Sequence, residues 1–306
     1  DPNYIPALVG MAVVRYESGL FEEALAFLKR AEKIQNAFNP NPSDGMIGYY
    51  KGLCLLGMKR VNEAYEAFYK ASWSHNVISY VMPHIAAIDG RRGDFIRMKE
   101  HSIRAIKREA DHPLAGTYLA IAEWKYGKTD AALTIIAEIL KRDPLDHLAG
   151  YLKRRISGEC LDGFFTTLQS NPSQTCIDIV FDLVDPGCHE DAIALLEGLK
   201  SFGAPSDMAL FVLAWLQEGD GDSVSAGNNR MAASKPKPVD TFPYRLPEIE
   251  VLQSAVAADA TNVQAANLLG CILYDKKRHA EATAAWECAM RAAPDYYMPY
   301  RNLAAV

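Results

Sequence analysis

Through most of the chain, apolar and small residues recur at three- and four-residue steps, the spacing that lays one face of an α-helix on a core. In residues 22–32, EEALAFLKRAE, Ala24, Leu28 and Ala31 share such a face and the charges take the other. The pattern comes in pairs, with Gly19, Gly93, Gly127 and Gly187 at the break between two helices. It is cleanest in residues 263–295, where Leu269-Gly270, Leu273, Tyr274, Ala282, Trp286 and Ala289 precede Pro294. Gly270, Ala282 and Ala289 let two helix backbones approach closely. Leu269, Leu273 and Trp286 fill the space between them, and Pro294 stops the second helix because it has no N–H to donate. The spacing predicts a helix–turn–helix unit repeated along the chain.

Using that unit as a measure, the first pair starts near Ile5, with Leu8, Met11 and Ala12 ahead of Gly19. Residues 39–44, NPNPSD, make a longer loop in which Ser43 or Asp44 caps the next helix. The second pair carries Gly52 and Leu55, then Ala64, Phe68 and Ala71. In the third, Met98 and Ser102 stand where a small and an aromatic residue are expected. The fourth is in phase at Leu119, Ala120, Gly127, Ala132 and Pro144. The register then slips over residues 147–172, where the second helix, near residues 160–169, is short. It recovers over 173–202 with Gly187 and Ala192, and residues 206–219 are apolar nearly all round, so that helix should be buried on several sides. Residues 219–245, rich in Gly, Ser, Asn, Asp and Pro, read as one long irregular loop. Its partner helix is expected to resume at Pro247. The organisation expected is therefore a repeat array over 1–218, an irregular loop over 219–245, and C-terminal repeats over 246–306.

The order and offsets of Leu269-Gly270, Ala282, Trp286, Ala289 and Pro294 resemble the tetratricopeptide pattern of ~34 residues. That resemblance implies an all-α, right-handed superhelical solenoid of about eight tetratricopeptide-like helix pairs. The phrase at residues 241–252, TFPYRLPEIEVL, followed by that repeat and by Tyr300-Arg-Asn-Leu303, is similar to the C-terminal repeat array of large bacterial proteins of unknown function. In those proteins a β-rich upstream region resembles mutarotase-like supersandwich domains. The start at Asp1-Pro2 and the end at Val306 both read as falling inside repeats, as expected of a piece of a longer protein.

A formal net charge of −6 argues against the chain as a whole binding nucleic acid. From Arg91 to Arg155, fourteen Lys/Arg against nine Asp/Glu give +5, which leaves −11 for the rest. Arg97, Arg104 and Lys107 head this basic stretch, which reads as a solvated helix face or as a patch for an acidic partner. No apolar run approaches the ~18 residues of a membrane-spanning helix. Six cysteines without a CxxC pair suggest a reducing, cytoplasmic setting.

Motifs of catalysis are weak. Gly127-Lys128-Thr129 lacks the earlier glycine of a phosphate-binding loop, since Ala122 stands there. Arg92-Gly93-Asp94 is explained by a turn. The Asp220-Gly221-Asp222 run reaches Met231, not Glu, at the twelfth position of a calcium loop. The seven histidines show no ligand spacing. No catalytic residue, cofactor or metal ligand is expected.

In tetratricopeptide arrays the first helices line a concave surface where ligands bind. Carried over by position, the resemblance implies as groove residues Tyr49, Tyr50, Tyr80, His84, Tyr118, Trp124, Tyr151, Arg155, Phe181, Phe211, Trp215, Asn267 and Tyr274. Aromatics at helical spacing serve equally as core. The Lys, Asn and Arg of a carboxylate clamp and the Asn ladder of glycosyltransferase-linked arrays are missing. The function expected is a non-enzymatic scaffold or docking module within a larger bacterial protein, for a protein or peptide partner or an upstream domain of the same chain. The alternative is an accessory or oligomerisation array of a carbohydrate-active enzyme whose catalytic domain lies upstream.

Overall fold

One turn closes hairpin after hairpin. In a computed structural model that describes residues 3–39, 44–168, 171–203, 205–237 and 241–304, the backbone N–H of Leu20 donates to the carbonyl of Arg15. Arg60 donates likewise to Leu55, Asp94 to Asp89, Lys128 to Glu123, Asp222 to Gln217 and Arg278 to Leu273. Each bond reaches back five residues and reverses the chain just past the last turn of a helix. The residue before each donor has a positive φ: Gly19, Lys59, Gly93, Gly127, Gly221 and Lys277. Glycine enters that region without a Cβ clash; the two lysines enter it against one.

The described residues hold eighteen α-helices and no strand. They form two compact units, Asp1–Glu159 with Asp185–Cys188, and Cys160–Val184 with His189–Val306.

Unit 1 comprises α1 (Ile5–Glu17), α2 (Phe21–Phe38), α3 (Met46–Gly57), α4 (Val61–Ala71), α5 (Ile78–Arg91), α6 (Phe95–Ile106), α7 (Ala115–Lys125), α8 (Thr129–Arg142) and α9 (His147–Ser157). Successive pairs α1/α2, α3/α4, α5/α6 and α7/α8 pack as hairpins, and each second helix packs on the next first helix. The small and large positions read from the sequence fill the seams: Ala24, Leu28, Ala31, Ala64, Phe68, Ala71, Ala105 and Ala132 are all buried, although Met11 faces solvent. A Cβ on Gly52 would come 2.4 Å from Phe68 Cε1. In the third pair, where the pattern weakens, a polar pin replaces apolar packing. His101 Nδ1 lies 2.7 Å from Asp89 Oδ2, and the Ser102 hydroxyl donates to the Met98 carbonyl at 2.8 Å. Both Asp89 and His101 are buried.

Unit 2 comprises α10 (Asp162–Thr167), α11 (Pro172–Val184), α12 (His189–Phe202), α13 (Asp207–Gly219), α14 (Ser223–Ala232), α15 (Leu246–Ala258), α16 (Val263–Asp275), α17 (His279–Ala292) and α18 (Tyr297–Leu303). α11/α12, α13/α14 and α16/α17 are hairpins, and α15 packs on both α13 and α16. α13 is buried along nearly its whole length from Asp207 to Gln217, as its all-round apolarity implied. α10 has only six residues, in line with a short second helix in the slipped repeat.

The irregular reading of 219–245 needs correction. Residues 223–232 form α14, which packs on α13, so the partner of α13 is α14 and α15 is an additional helix. Asp222 accepts from the Ser225 N–H at 3.0 Å and caps the helix. Asn229 donates to Gln217 Oε1 at 2.7 Å and accepts from Lys200 Nζ at 2.8 Å, which gives a polar sequence a buried anchor. The non-helical part begins at Ala233. In the loop of 39–44, Asp44 accepts from the Met46 N–H at 3.0 Å; Pro2, residues 40–43, Gln169 and residues 238–240 lie outside the described residues. No described helix is long and apolar enough to cross a membrane.

Candidate functional site

In unit 1 the first helices of consecutive pairs carry a continuous run of aromatic rings. Tyr16 of α1 stands 6.2 Å from Tyr50 of α3, which stands 5.2 Å from its neighbour Tyr49. Tyr49 in turn meets Tyr80 and His84 of α5 at 5.9 and 6.0 Å. His84 lies flat on Phe68, 5.1 Å between centroids with an 11° tilt. Past these rings opens a recess of ≈ 100 Å³ lined by Tyr49, Tyr80, Pro83, His84, His112, Leu114, Tyr118 and Asp185. Pro83 sits inside α5, where its ring replaces a backbone donor.

His112 and Asp185 are held in the recess by hydrogen bonds to their surroundings. His112 Nδ1 accepts from the N–H groups of Leu114 and Ala115 at 3.2 and 3.3 Å, which ties the imidazole to the start of α7 and leaves the ring proton on Nε2. Burial holds both His84 and His112 below the ordinary histidine value, so both rings are neutral at pH 7. Burial, then the neighbouring phenol Tyr50, pushes Tyr49 up to about 12, and burial raises Tyr16 further. Asp185 Oδ1 accepts from Arg91 Nη2 at 2.9 Å, and the Asp185 carbonyl accepts from Arg91 Nε at 2.5 Å. The recess thus offers aromatic faces, neutral ring nitrogens and one carboxylate already balanced by a guanidinium. That set suits binding by shape and desolvation.

The residues expected in a groove divide sharply. Tyr49, Tyr50, Tyr80 and His84 come together with Tyr118, but Tyr118 is 1% exposed and forms the floor. Tyr151 is fully buried, Trp124 is half-buried beneath Lys125 Nζ at 4.3 Å, and Arg155 is exposed. In unit 2, Phe181, Phe211 and Asn267 are buried, while Trp215 and Tyr274 are half-buried. Tyr274 packs edge-on to His279 at 4.8 Å. For Tyr151, Phe181, Phe211 and Asn267 the groove reading is corrected, because these side chains are buried, whereas Tyr118 is buried and still lines the recess. Truncating Tyr118 and Tyr151 would strike the core. Tyr16, His112 and Asp185 belong to the aromatic run or the recess and escaped the positional reading. His112 precedes its helix, and Asp185 arrives from the α11–α12 turn, distant in sequence.

Arg97, Arg104 and Lys107 do not line the recess. They are exposed on or just after α6, with Arg97 Nε 3.5 Å from Asp94. Among the described residues no cluster of three or more His, Cys, Asp or Glu could hold a metal ion.

The sequence matches no family model. Among solved structures, the chain is similar to a tetratricopeptide repeat protein from Parabacteroides merdae, at 14% identity over 82% of this chain and 98% of that one, with a TM-score of 0.49. It is similar to PilF of Pseudomonas aeruginosa at 12% identity over 74% and 89%, TM-score 0.40. It is also similar to human IFIT1, solved as a dimer with m7Gppp-AAAA, at 17% identity over 96% and 65%, TM-score 0.40. The hairpins themselves, with a glycine under an aromatic ring at Gly52–Phe68 and again at Gly270–Trp286, resemble tetratricopeptide helix pairs.

Proposed function

We propose that this chain is a protein–protein interaction module, working as a docking element within a larger bacterial protein, whose unit 1 recess receives an apolar side chain from a partner peptide. The observation that carries the reading is the run of rings ending in the recess. Tyr80 is 51% exposed beside it, while its floor is closed by Tyr118. A volume of ≈ 100 Å³ falls below the ~300 Å³ at which metabolite pockets begin. It suits one side chain at the centre of a wider contact. Aromatic rings with their torsions already fixed by neighbours give contact area at little entropic cost.

Peptides selected from a random library on the intact chain test this. Binders of the recess should weaken by about tenfold or more on Tyr80→Ala, the size of loss typical of an interface anchor, with helicity unchanged by circular dichroism. Selected peptides that bind the Tyr80→Ala and Tyr49→Ala chains as tightly as the parent would remove the reading.

A further inference from the structure

Past α14 the chain runs as Ala233-Ser234-Lys235-Pro236-Lys237 without helix, and Pro236 biases the residue before it toward extended backbone. Lys235, Pro236 and Lys237 are exposed, yet what lies beneath Lys237 is not. The Lys237 carbonyl accepts from Gln264 Nε2 at 3.3 Å and lies 2.8 Å from the Tyr296 hydroxyl, which is also 3.2 Å from Gln264 Oε1. The Lys237 ammonium stands 2.6 Å from Asp207 Oδ1, a close ion pair more than an aligned hydrogen bond. Gln264 is 1% exposed, Asp207 3% and Tyr296 8%. These groups come from the starts of two first helices, α13 and α16, and from the turn before α18.

Buried polar side chains of this kind need partners, because an unmet buried donor or acceptor loses its water without compensation. Here the partner is an exposed stretch of coil. One residue is read twice, its carbonyl by a side-chain amide and a phenol, its side chain by a carboxylate. Such a site recognises a backbone carbonyl together with the cation of the same residue, a chemistry that another chain can offer as well as this one.

We propose that Asp207, Gln264 and Tyr296 form a socket for a lysine-bearing segment of a partner protein, kept filled in its absence by the chain's own Lys237. The built-in segment is tethered, so it competes at a high effective concentration and sets the threshold a partner must exceed. The socket is separate from the unit 1 recess and does not depend on it.

The probe is a fluorescein-labelled peptide of residues 233–237, acetylated and amidated, titrated into the full chain and followed by anisotropy. Lys237→Glu sets like charge against Asp207 and expels the internal segment without touching the socket. The peptide should bind the Lys237→Glu chain about tenfold or more tighter than wild type, since a tethered competitor has been removed. A second substitution, Gln264→Ala, should cancel that gain, and a peptide with its final lysine changed to glutamate should not bind. Equal binding to the wild-type and Lys237→Glu chains, or equal binding of the two peptides, would overturn the proposal. Lys237→Ala repeats the comparison with a milder change if Lys237→Glu lowers the helical signal. Light scattering covers a third source of the segment: if Lys237→Glu pairs with a wild-type chain as a dimer in place of binding peptide, the socket serves a second copy and the partner reading fails.

Discussion

A Cβ on Gly270 would stand 2.3 Å from the indole nitrogen of Trp286, which donates to the Asn267 carbonyl at 3.2 Å. The ring can lie across the helix backbone only because nothing projects there. Ala replacing Gly in a helix normally gains up to ~1 kcal/mol. At Gly270, and at Gly52 beneath Phe68, the sign should reverse. Gly270→Ala and Gly52→Ala should each lose about 1–3 kcal/mol, the usual cost of overpacking, read from the midpoint of urea unfolding.

Lys59 and Lys277 hold the positive φ that glycine holds at the equivalent turns. Lys59→Gly and Lys277→Gly should each stabilise the chain by about 1 kcal/mol, the lower end of the cost of a left-handed backbone for a residue with a Cβ. The check is a rise in unfolding midpoint, roughly additive in the double variant because the sites are far apart in the repeat order.

Glu248 should make stability depend on pH. Its Oε2 accepts from the N–H groups of Tyr244 and Arg245 at 2.7 and 2.6 Å, but the side chain is fully buried, and burial pushes its pKa from 4.5 to about 7. The folded chain therefore holds a proton that the unfolded chain releases. This contribution is full below about pH 4.5 and is lost as pH rises through about 7. At ~1.4 kcal/mol per unit the loss is roughly 3 kcal/mol. Glu248→Gln keeps an acceptor for both N–H groups and should flatten the stability profile between about pH 4.5 and 7, the span between the two pKa values. A profile equally steep in the variant would assign the dependence to other groups.

The Asp89–His101 pin should matter for stability more than its exposed neighbours do. Asp89→Ala leaves a buried imidazole without its carboxylate and should cost about 1–3 kcal/mol. Arg97→Ala on the solvent face of the same hairpin should cost under ~0.5 kcal/mol. Thermal unfolding of the two variants side by side makes the comparison.

Helix positions were legible because burial here is periodic. Each hairpin repeats the same small and large residues, and the reading failed only where that period carried no apolar signal. α14 is the example. Ser223–Ala232 contains Gly227, Asn228 and Asn229, yet it is held as a helix by the Asp222 cap and by Asn229 between Gln217 and Lys200. The Asp222 cap is local, but Gln217 and Lys200 lie in other helices, so no local pattern announces the anchor at Asn229. The recess shows the same limit. Tyr49, Tyr80 and His84 were visible as helical positions, whereas Asp185 joins them through the pairing of Arg91 with the turn after α11. Tyr151 and Phe211 were misplaced because a ring at a first-helix position faces open solvent or a packed neighbour according to how closely the next helix sits.

Asp185–Cys188 belongs to unit 1, although the residues on either side of it belong to unit 2. The chain therefore lays down most of the recess early and supplies its carboxylate late. During synthesis, when domains begin to fold as they emerge, Tyr49, Tyr80, His84 and Tyr118 can assemble while residues beyond 159 are still in the ribosome. Arg91 then waits for its partner, and Gly90 for the Pro186 carbonyl that would come 2.7 Å from a Cβ there. A nascent or proteolysed chain ending at Glu159 would carry the rings without the anion that balances Arg91. The full lining of the recess is thus complete only once translation has passed the α11–α12 turn.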